Sequence, residues 1–511
     1  MNLFRPFARR HRSFSANRET RRLLTAVAAA SSGICSFSTP LPLHPTPGST
    51  CAFPRPFLSP SARASTMADD HDGAPPPVRV SISSAFDSGN IRYGSVGRDP
   101  DAAAVVRLSI VPDPHTELED TSHMQSFAFR SVISAASDDD DDAPRTVRYV
   151  VTNAGNASYP SAWPGSTVFF SARYDPHDPD GDGDWVRIPD TSYDAAAGTL
   201  SWSHAHGPRG SSVHFAYFPP YTYDRHLAFS GRCGTLPAAR TRSLGRTLDG
   251  RDIDCVSCGT GPQQAWVIAR QHPGESMAEF YAEGLLERLL APAPGDAAAE
   301  RALREFTWHV VPNMNVDGST RGHLRTNAAG SNLNREWDSS GDYEAPTLER
   351  SPEVYHILRD MDRTGVDFFA DIHGDEELPF NFLAGSEGCE NWGDRLQALH
   401  GAFHAEYCRS NSDMQQEVGY EPDEPGQGKT CICSNQIAIR FDCLAFTLEM
   451  PFKDCMSNPD SERGWSPLRS KRLGASLIDP VLYVQPHLRS KEAFWTNLPK
   501  EDAYVRPSSK Y

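Results

Sequence analysis

The patterning of apolar residues changes at about residue 224, and this change limits the possible fold more than any single motif does. Upstream, short alternating or apolar runs recur at Val78 to Ile82, Val105 to Val111, Phe127 to Val132, Val147 to Val151, Thr167 to Ala172 and Val213 to Phe218. Turn-rich loops such as Asp175 to Asp184 separate them. Several short strands with no helical period predict an all-β sandwich over residues 76–223. Downstream, apolar runs alternate with stretches of helical spacing, which predicts an α/β domain over residues 224–505. Its strands are expected at Ala265 to Ala269, Thr307 to Val311, Val366 to Ile372 and Cys443 to Met450, and its helices at 276–290, 352–363 and 392–407. Pro352 after Ser351 suits a helix start, because the missing N–H of proline costs nothing in a first turn.

The first 66 residues stand apart, with nine arginines, many serines and one acid, Glu19. That composition reads as a transit peptide, or as an untranslated segment if synthesis starts at Met67. The first reading places the protein in a mitochondrion or plastid, the second in the cytoplasm. The rest of the chain carries 40 basic and 65 acidic residues, and the whole has a net charge of -17. This balance argues against a general nucleic-acid binder. No apolar run reaches the length a transmembrane helix needs. Eleven cysteines in 511 residues do not suggest a disulfide scaffold. The pairs Cys255/Cys258 and Cys431/Cys433 have redox or metal spacing. No second pair lies at zinc-ribbon distance, so they read as incidental thiols. The run Asp138 to Asp142 lacks the glycine and spacing of a calcium loop and reads as a solvated loop.

The chemistry gathers where apolar runs end. Ala265 to Ala269 is followed by His272-Pro-Gly-Glu-Ser, in which Pro273 and Gly274 break the strand. Met277, Phe280, Tyr281, Leu285, Leu286 and Leu289 then fall on one helical face. His272 therefore ends a strand and Glu275 begins a helix, at the edge where open α/β sheets bind ligands. An imidazole and a carboxylate so placed can reach one divalent metal, and the N/O pair suits zinc. A His-x-x-Glu pair is weak by itself, and the chain holds a second, His373 with Glu376. Glu449 lies inside the last apolar run, where an acid is costly unless paired or functional; a buried salt bridge would also account for it. If the strands are parallel, these groups meet at one sheet edge. Two histidines and one glutamate leave a fourth zinc position open, which marks a catalytic site, and a carboxylate beside it can serve as general base. Asn313 to Trp337 is dense in Arg, Asn and Gly and reads as a binding loop or a solvated linker. Its arginines can clamp a carboxylate at two points.

In order and spacing, His272-Pro-Gly-Glu-Ser, Asn315-Val-Asp-Gly, Asn332-Leu-Asn-Arg, His373-Gly-Asp-Glu and Thr447-Leu-Glu resemble the zinc carboxypeptidases of the carboxypeptidase A type. Asn153 to Pro160 (NAGNASYP) and His214 to His226 (HFAYFPPYTYDRH) resemble the N-terminal β-sandwich of the cytosolic carboxypeptidase branch. The likeness spans residues 76 to about 500. It implies an N-terminal sandwich followed by an α/β zinc-carboxypeptidase domain, a mixed sheet flanked by helices. It implies one zinc ion per chain on His272, Glu275 and His373, with Glu376 outside the ligand set. It also implies Glu449 as the base that activates water and later protonates the leaving amine. Arg325 would stabilise the oxyanion, and Asn334 and Arg335 would hold the substrate's terminal carboxylate.

The implied substrate is a peptide or protein C-terminus, with glutamate a candidate for the residue removed. Glutamate calls for a basic residue in the specificity pocket, and Lys429 and Arg440 fall in the right region. Two rival readings are a zinc deacylase of N-acyl amino acids and a binding module that has lost turnover. One departure stands out. Many members carry a tyrosine roughly twenty residues before the base glutamate, whereas residues 424–432 read EPGQGKTCI; Tyr420 is the nearest upstream.

Overall fold

The structure, a computed structural model, describes residues 78–117, 122–135, 144–178, 184–207, 210–341 and 343–497. The arginine-rich N-terminal segment and the aspartate run 138–142 lie outside these residues.

The first part is built from β1 (Val78–Ser83), β2 (Arg92–Gly97), β3 (Ala104–Ser109), β4 (Ala128–Ala135) and β5 (Arg145–Val151). It continues with β6 (Phe169–Ser171), β7 (Val186–Arg187), β8 (Ser192–Asp194), β9 (Thr199–His206) and β10 (Ser211–Ala216). These form two sheets, β1-β4-β10-β6-β7 and β2-β3-β5-β9-β8. Alternation sets which residues face the other sheet. β5 buries Val147, Tyr149 and Val151, and β9 buries Leu200 and Trp202. From the opposite sheet come Phe129 and Phe215. Tyr149 stacks on Trp202 at 5.5 Å and meets Phe215 at 4.8 Å. The six expected runs all fall on strands. The strand β9 has no clear period in the sequence because TLSWSHAH carries polar residues on both faces; its buried His206 is satisfied at 2.8 Å by the hydroxyl of Tyr149.

The second part runs α1 (Tyr223–Gly234), β11 (Ala239–Arg246), β12 (Asp252–Cys258), β13 (Gln263–Ala269), α2 (Ser276–Leu290), α3 (Ala297–Glu305), β14 (Phe306–Val311) and α4 (Val316–Arg321). It ends with α5 (Pro352–Thr364), β15 (Phe368–Ile372), β16 (Phe382–Ala384), α6 (Asp394–Ser410), α7 (Cys433–Phe441), β17 (Leu444–Glu449), α8 (Pro467–Ser476) and α9 (Ile478–Val484). Its sheet has the order β11-β12-β14-β13-β15-β17-β16. The four strands read from the sequence, β13, β14, β15 and β17, are mutually parallel, and each of the flanking strands β11, β12 and β16 pairs antiparallel with its inner neighbour. Val267 and Ala269 face one apolar cluster with Leu285 and Leu286 of α2. Trp266 and Ile268 face another with Ile357 and Met361 of α5 and Ile437 of α7. Strands buried on both faces read as unbroken apolar runs, which is why these four were legible. Burial of a large apolar side chain stabilises by about 1.5–3 kcal/mol each, and α2 contributes Met277, Phe280, Tyr281, Leu285, Leu286 and Leu289 to the core.

α2 and α8 touch through glycines. A Cβ on Gly284 would lie 2.0 Å from the Lys471 carbonyl oxygen, and one on Gly474 would lie 2.0 Å from that of Tyr281. The two parts of the chain meet where Tyr217 stacks on Phe452 at 4.8 Å and Asn90 donates to the Gly322 carbonyl at 3.0 Å. No helix among the described residues is long and apolar enough to cross a membrane. Cys255, Cys258, Cys431 and Cys433 are free and buried. Burial pushes the Cys255 thiol up to about 11 and that of Cys258 up to about 12, so both stay protonated and unreactive.

Candidate active site

β13, β15 and β17 are neighbours and parallel, so the residues after each strand arrive at one edge. Beyond β13 the chain turns at Gly274, whose N–H donates to the Leu324 carbonyl at 2.9 Å. A Cβ there would stand 2.9 Å from that same oxygen. Glu275 occupies the N-cap of α2 without capping it, because its carboxylate turns to the histidines instead. Its Oε1 lies 2.7 Å from His272 Nδ1 and its Oε2 lies 2.9 Å from His373 Nδ1. The two Nδ1 atoms are 3.2 Å apart. All three side chains are buried, and no other group of three His, Cys, Asp or Glu residues converges in this way among the described residues.

The outer ring nitrogens have partners of their own. His272 Nε2 is 3.1 Å from Asn332 Oδ1, and His373 Nε2 is 3.0 Å from Asp371 Oδ2. Such outer acceptors fix the tautomer and turn a lone pair inward, as metal-binding histidines require. Burial and the nearby Arg325 hold His272 down to about 3, hence neutral. Burial works against the Glu275 carboxylate, but His272 and His373 outweigh it and hold the group down to about 2. At His373 burial also disfavours charge, yet Asp371 and Glu275 raise its affinity for a proton well above the usual range. The site thus attracts positive charge between two imidazoles and a carboxylate, a donor set that fits zinc. Glu376 stays outside this group and instead lines the neighbouring cavity.

Glu449 ends β17 and is 7% exposed. Its Oε2 has no hydrogen-bond partner. Burial pushes its carboxyl up, His373 opposes this, and Glu275, Asp375 and Glu376 add to it. A cavity of about 420 Å³ opens here, lined by His272, Glu275, Arg325, Asn334, Arg335 and Glu449. His373 lies behind its wall, 1% exposed. Asn334 Oδ1 accepts from the Cys433 N–H at 2.9 Å, at the start of α7, which leaves its amide N–H groups for the cavity. Tyr420 does reach the site: its hydroxyl donates to Asp375 Oδ2 at 2.5 Å, and its ring meets Phe382 edge-on at 4.9 Å. Lys429 is exposed and does not line the cavity. Arg440 forks onto Asp362 at 2.7 and 2.9 Å, outside it.

Two further residues come from the sandwich, and the sequence reading assigned neither. Asp113 is buried and accepts from the N–H groups of Leu324, Arg325 and Thr326 at 2.7, 2.8 and 2.9 Å, and from the Thr326 hydroxyl at 3.1 Å. Tyr159 lines the cavity, and its hydroxyl accepts from Arg325 at 3.2 Å. No local pattern joins residues separated by more than 160 positions. Asp371 is a third residue the sequence reading missed, although an acid inside the apolar strand β15 is the same signal that marks Glu449.

A His/Glu/His group able to hold a metal, a buried glutamate with an unpartnered oxygen and an arginine-lined cleft on a mixed α/β sheet fit a metal-dependent hydrolase. The family described as "cytosolic carboxypeptidase N-terminal domain" matches residues 82–218, and that described as "zinc carboxypeptidase" matches residues 236–459. The chain belongs to the zinc carboxypeptidase family, in the form that carries the cytosolic-carboxypeptidase N-terminal domain, and is a metallocarboxypeptidase. A metallo-carboxypeptidase from Pseudomonas aeruginosa, solved with (2-guanidinoethylmercapto)succinic acid, is 38% identical with a TM-score of 0.69, covering 80% of this chain and all of that one (100%). An uncharacterized protein of Zymomonas mobilis is 40% identical over 78% of this chain and 95% of its own length. Mouse cytosolic carboxypeptidase 6 is 27% identical, covering 54% of this chain and 55% of that protein.

Proposed function

We propose that the chain removes residues one at a time from the C-termini of peptides or proteins. The observation that carries this reading is Glu449: it has a buried, unpartnered Oε2 and lines a cavity together with His272 and Glu275 of the metal group and the Asn334–Arg335 pair. Asn334 and Arg335 hold the substrate's terminal carboxylate, the amide through N–H donors and the guanidinium through charge. That anchoring sets the last peptide bond against the metal group. Zinc on His272, Glu275 and His373 would act as a Lewis acid toward water and the scissile carbonyl. Glu449 takes the proton that water gives up as it attacks. Its carboxyl is pushed up by burial, so it readily returns that proton to the leaving nitrogen. Arg325, set by Asp113 and Tyr159, faces the negative charge that develops on the carbonyl oxygen. The dicarboxylate bound by the Pseudomonas relative supports a carboxylate clamp here.

Glutamate as the residue removed needs a cation in the recess beyond the clamp. Lys429 and Arg440 do not supply it; among the described residues the arginines and lysines lining the cavity are Arg325 and Arg335. The test of the reaction class is a mixture of peptides with different C-terminal residues, incubated with the zinc-loaded full chain with and without chelator and read by mass. Chelator-sensitive loss of single C-terminal residues is expected. No shortening, together with hydrolysis of an N-acyl amino acid, would replace the peptidase reading with the deacylase.

A further inference from the structure

Resting on the carboxypeptidase reading, we propose that Tyr159 of the sandwich is a catalytic residue: its hydroxyl donates to the same substrate carbonyl oxygen that Arg325 faces, as a second donor to the oxyanion. The sandwich presents it to the cavity. Tyr159 lies between β5 and β6, near the end of the run NAGNASYP, and lines the cavity wall. The fully buried Gln125 grips its backbone at both polar groups. Gln125 Oε1 accepts the Tyr159 N–H at 2.9 Å, and Gln125 Nε2 donates to the Tyr159 carbonyl at 3.1 Å. One residue earlier, Ser158 Oγ accepts the Met124 N–H at 2.9 Å, and the Ser158 N–H donates to the Met124 carbonyl at 2.8 Å. Two residues later, Ser161 donates to Glu377, another residue of the lining. The phenol therefore stands on a backbone that is fixed before substrate arrives.

The hydroxyl makes one hydrogen bond and keeps one unused proton. It accepts from Arg325 Nη1 at 3.2 Å. Among the described residues no group accepts its own O–H. Burial pushes the phenol up to about 12; Arg325 opposes this, and Glu376, Glu275 and Asp375 add to it. The hydroxyl thus stays protonated and has a donor to give. Two donor atoms 3.2 Å apart can close on one oxygen at hydrogen-bond distance from both. Accepting from a cation also strengthens the bond that a hydroxyl donates. Donors fixed in advance around a developing negative charge are worth most where water is excluded. Tyr159 gives up no proton in this step. The charge on the oxygen is shared between phenol and guanidinium, and the proton for the leaving nitrogen still comes from Glu449. The sandwich then contributes to the chemistry twice, holding the backbone of Arg325 through Asp113 and supplying a donor of its own.

The deciding experiment is a double-mutant cycle on the zinc-loaded full chain, with Tyr159→Phe, Arg325→Ala and the two together. Melting curves and zinc content show that the variants are folded and loaded. One readout is turnover of a short peptide. The other is calorimetric binding of a phosphinic peptide, whose tetrahedral anionic centre stands for the charged intermediate. Tyr159→Phe should lower kcat by about 10²-fold with KM unchanged, the scale of one lost oxyanion donor. It should weaken the phosphinic peptide in the parent background and weaken it again in the Arg325→Ala background. An unchanged kcat in Tyr159→Phe overturns the proposal. So does a loss of binding that disappears once Arg325 is removed, since Tyr159 would then act only by positioning that arginine. If the parent shortens no peptide, the carboxypeptidase reading fails and the binding cycle decides the rest. Weaker phosphinic-peptide binding by Tyr159→Phe in both backgrounds upholds the donor; equal binding, or none to the parent, overturns it.

Discussion

The wall of the cavity that carries His272, Glu275 and Glu449, with His373 behind it, is made from strand ends, whereas the wall that carries Arg325 is a loop held from two sides by acidic side chains. On the strand side the backbone fixes position. The His373 N–H donates to the Leu448 carbonyl and that of Asp375 to the Met450 carbonyl, both at 2.8 Å, extending the β15–β17 ladder to the metal group. On the loop side the sandwich supplies Asp113, with its four donors around Arg325. The helix α5 supplies Glu353, whose Oε2 accepts from Asn327 at 3.1 Å. The strand wall rests on many cooperative bonds and the loop wall on a few side chains. Changes on the first wall should therefore remove chemistry with the geometry intact, and changes on the second should displace geometry with the metal intact.

The largest expected effect breaks the strand wall at its ligand. His272→Ala should lose zinc and with it all turnover; zinc content unchanged by elemental analysis would remove His272 from the ligand set. Next, Glu449→Gln should keep zinc and lower kcat by about 10²–10⁴-fold, and near-normal kcat would dismiss it as the base. On the loop wall, Asp113→Asn puts an amide among donors that need an acceptor, at a cost of about 1–3 kcal/mol. It should lower kcat by about tenfold or more while zinc content and the apparent affinity of the terminal carboxylate hold. Loss of zinc in that variant would show that the two walls are not independent.

The smallest effect separates the two anchors of the loop. Burial pushes the Glu353 carboxyl from its usual 4.5 up to about 8. Below its unfolded value both states hold the proton, and the stabilisation is complete. As pH rises from there through about 8, the unfolded chain ionises first and stability is lost. Glu353→Gln keeps the acceptor for Asn327 without the proton, so its melting temperature should gain steadily on the parent between about pH 5 and pH 8. A gap that does not change with pH would mean that Glu353 is ionised in the fold.

What could be read from the sequence divides along the same line. His272, Glu275, His373 and Glu449 each sit at or near the end of a run buried on both faces, where an ionisable residue is conspicuous. Asp113 and Tyr159 sit in loops of another layer, where polar residues are ordinary, and only the packed fold shows what they touch. Tyr420 was visible but unplaced, since distance along the chain says little about where a loop folds back. The antiparallel β16 is three residues long, too short for any period to register, yet Leu383 and Ala384 within it line the cavity.

The amides of Leu324, Arg325 and Thr326 end on an acceptor from the other domain rather than on their own. Their deuterium exchange is therefore a gauge of contact between the domains. It should be slow while the sandwich is seated and should quicken only when the sandwich lifts, even with the catalytic core fully folded. A ligand or partner that pries at the sandwich would register at Arg325 without touching the cavity.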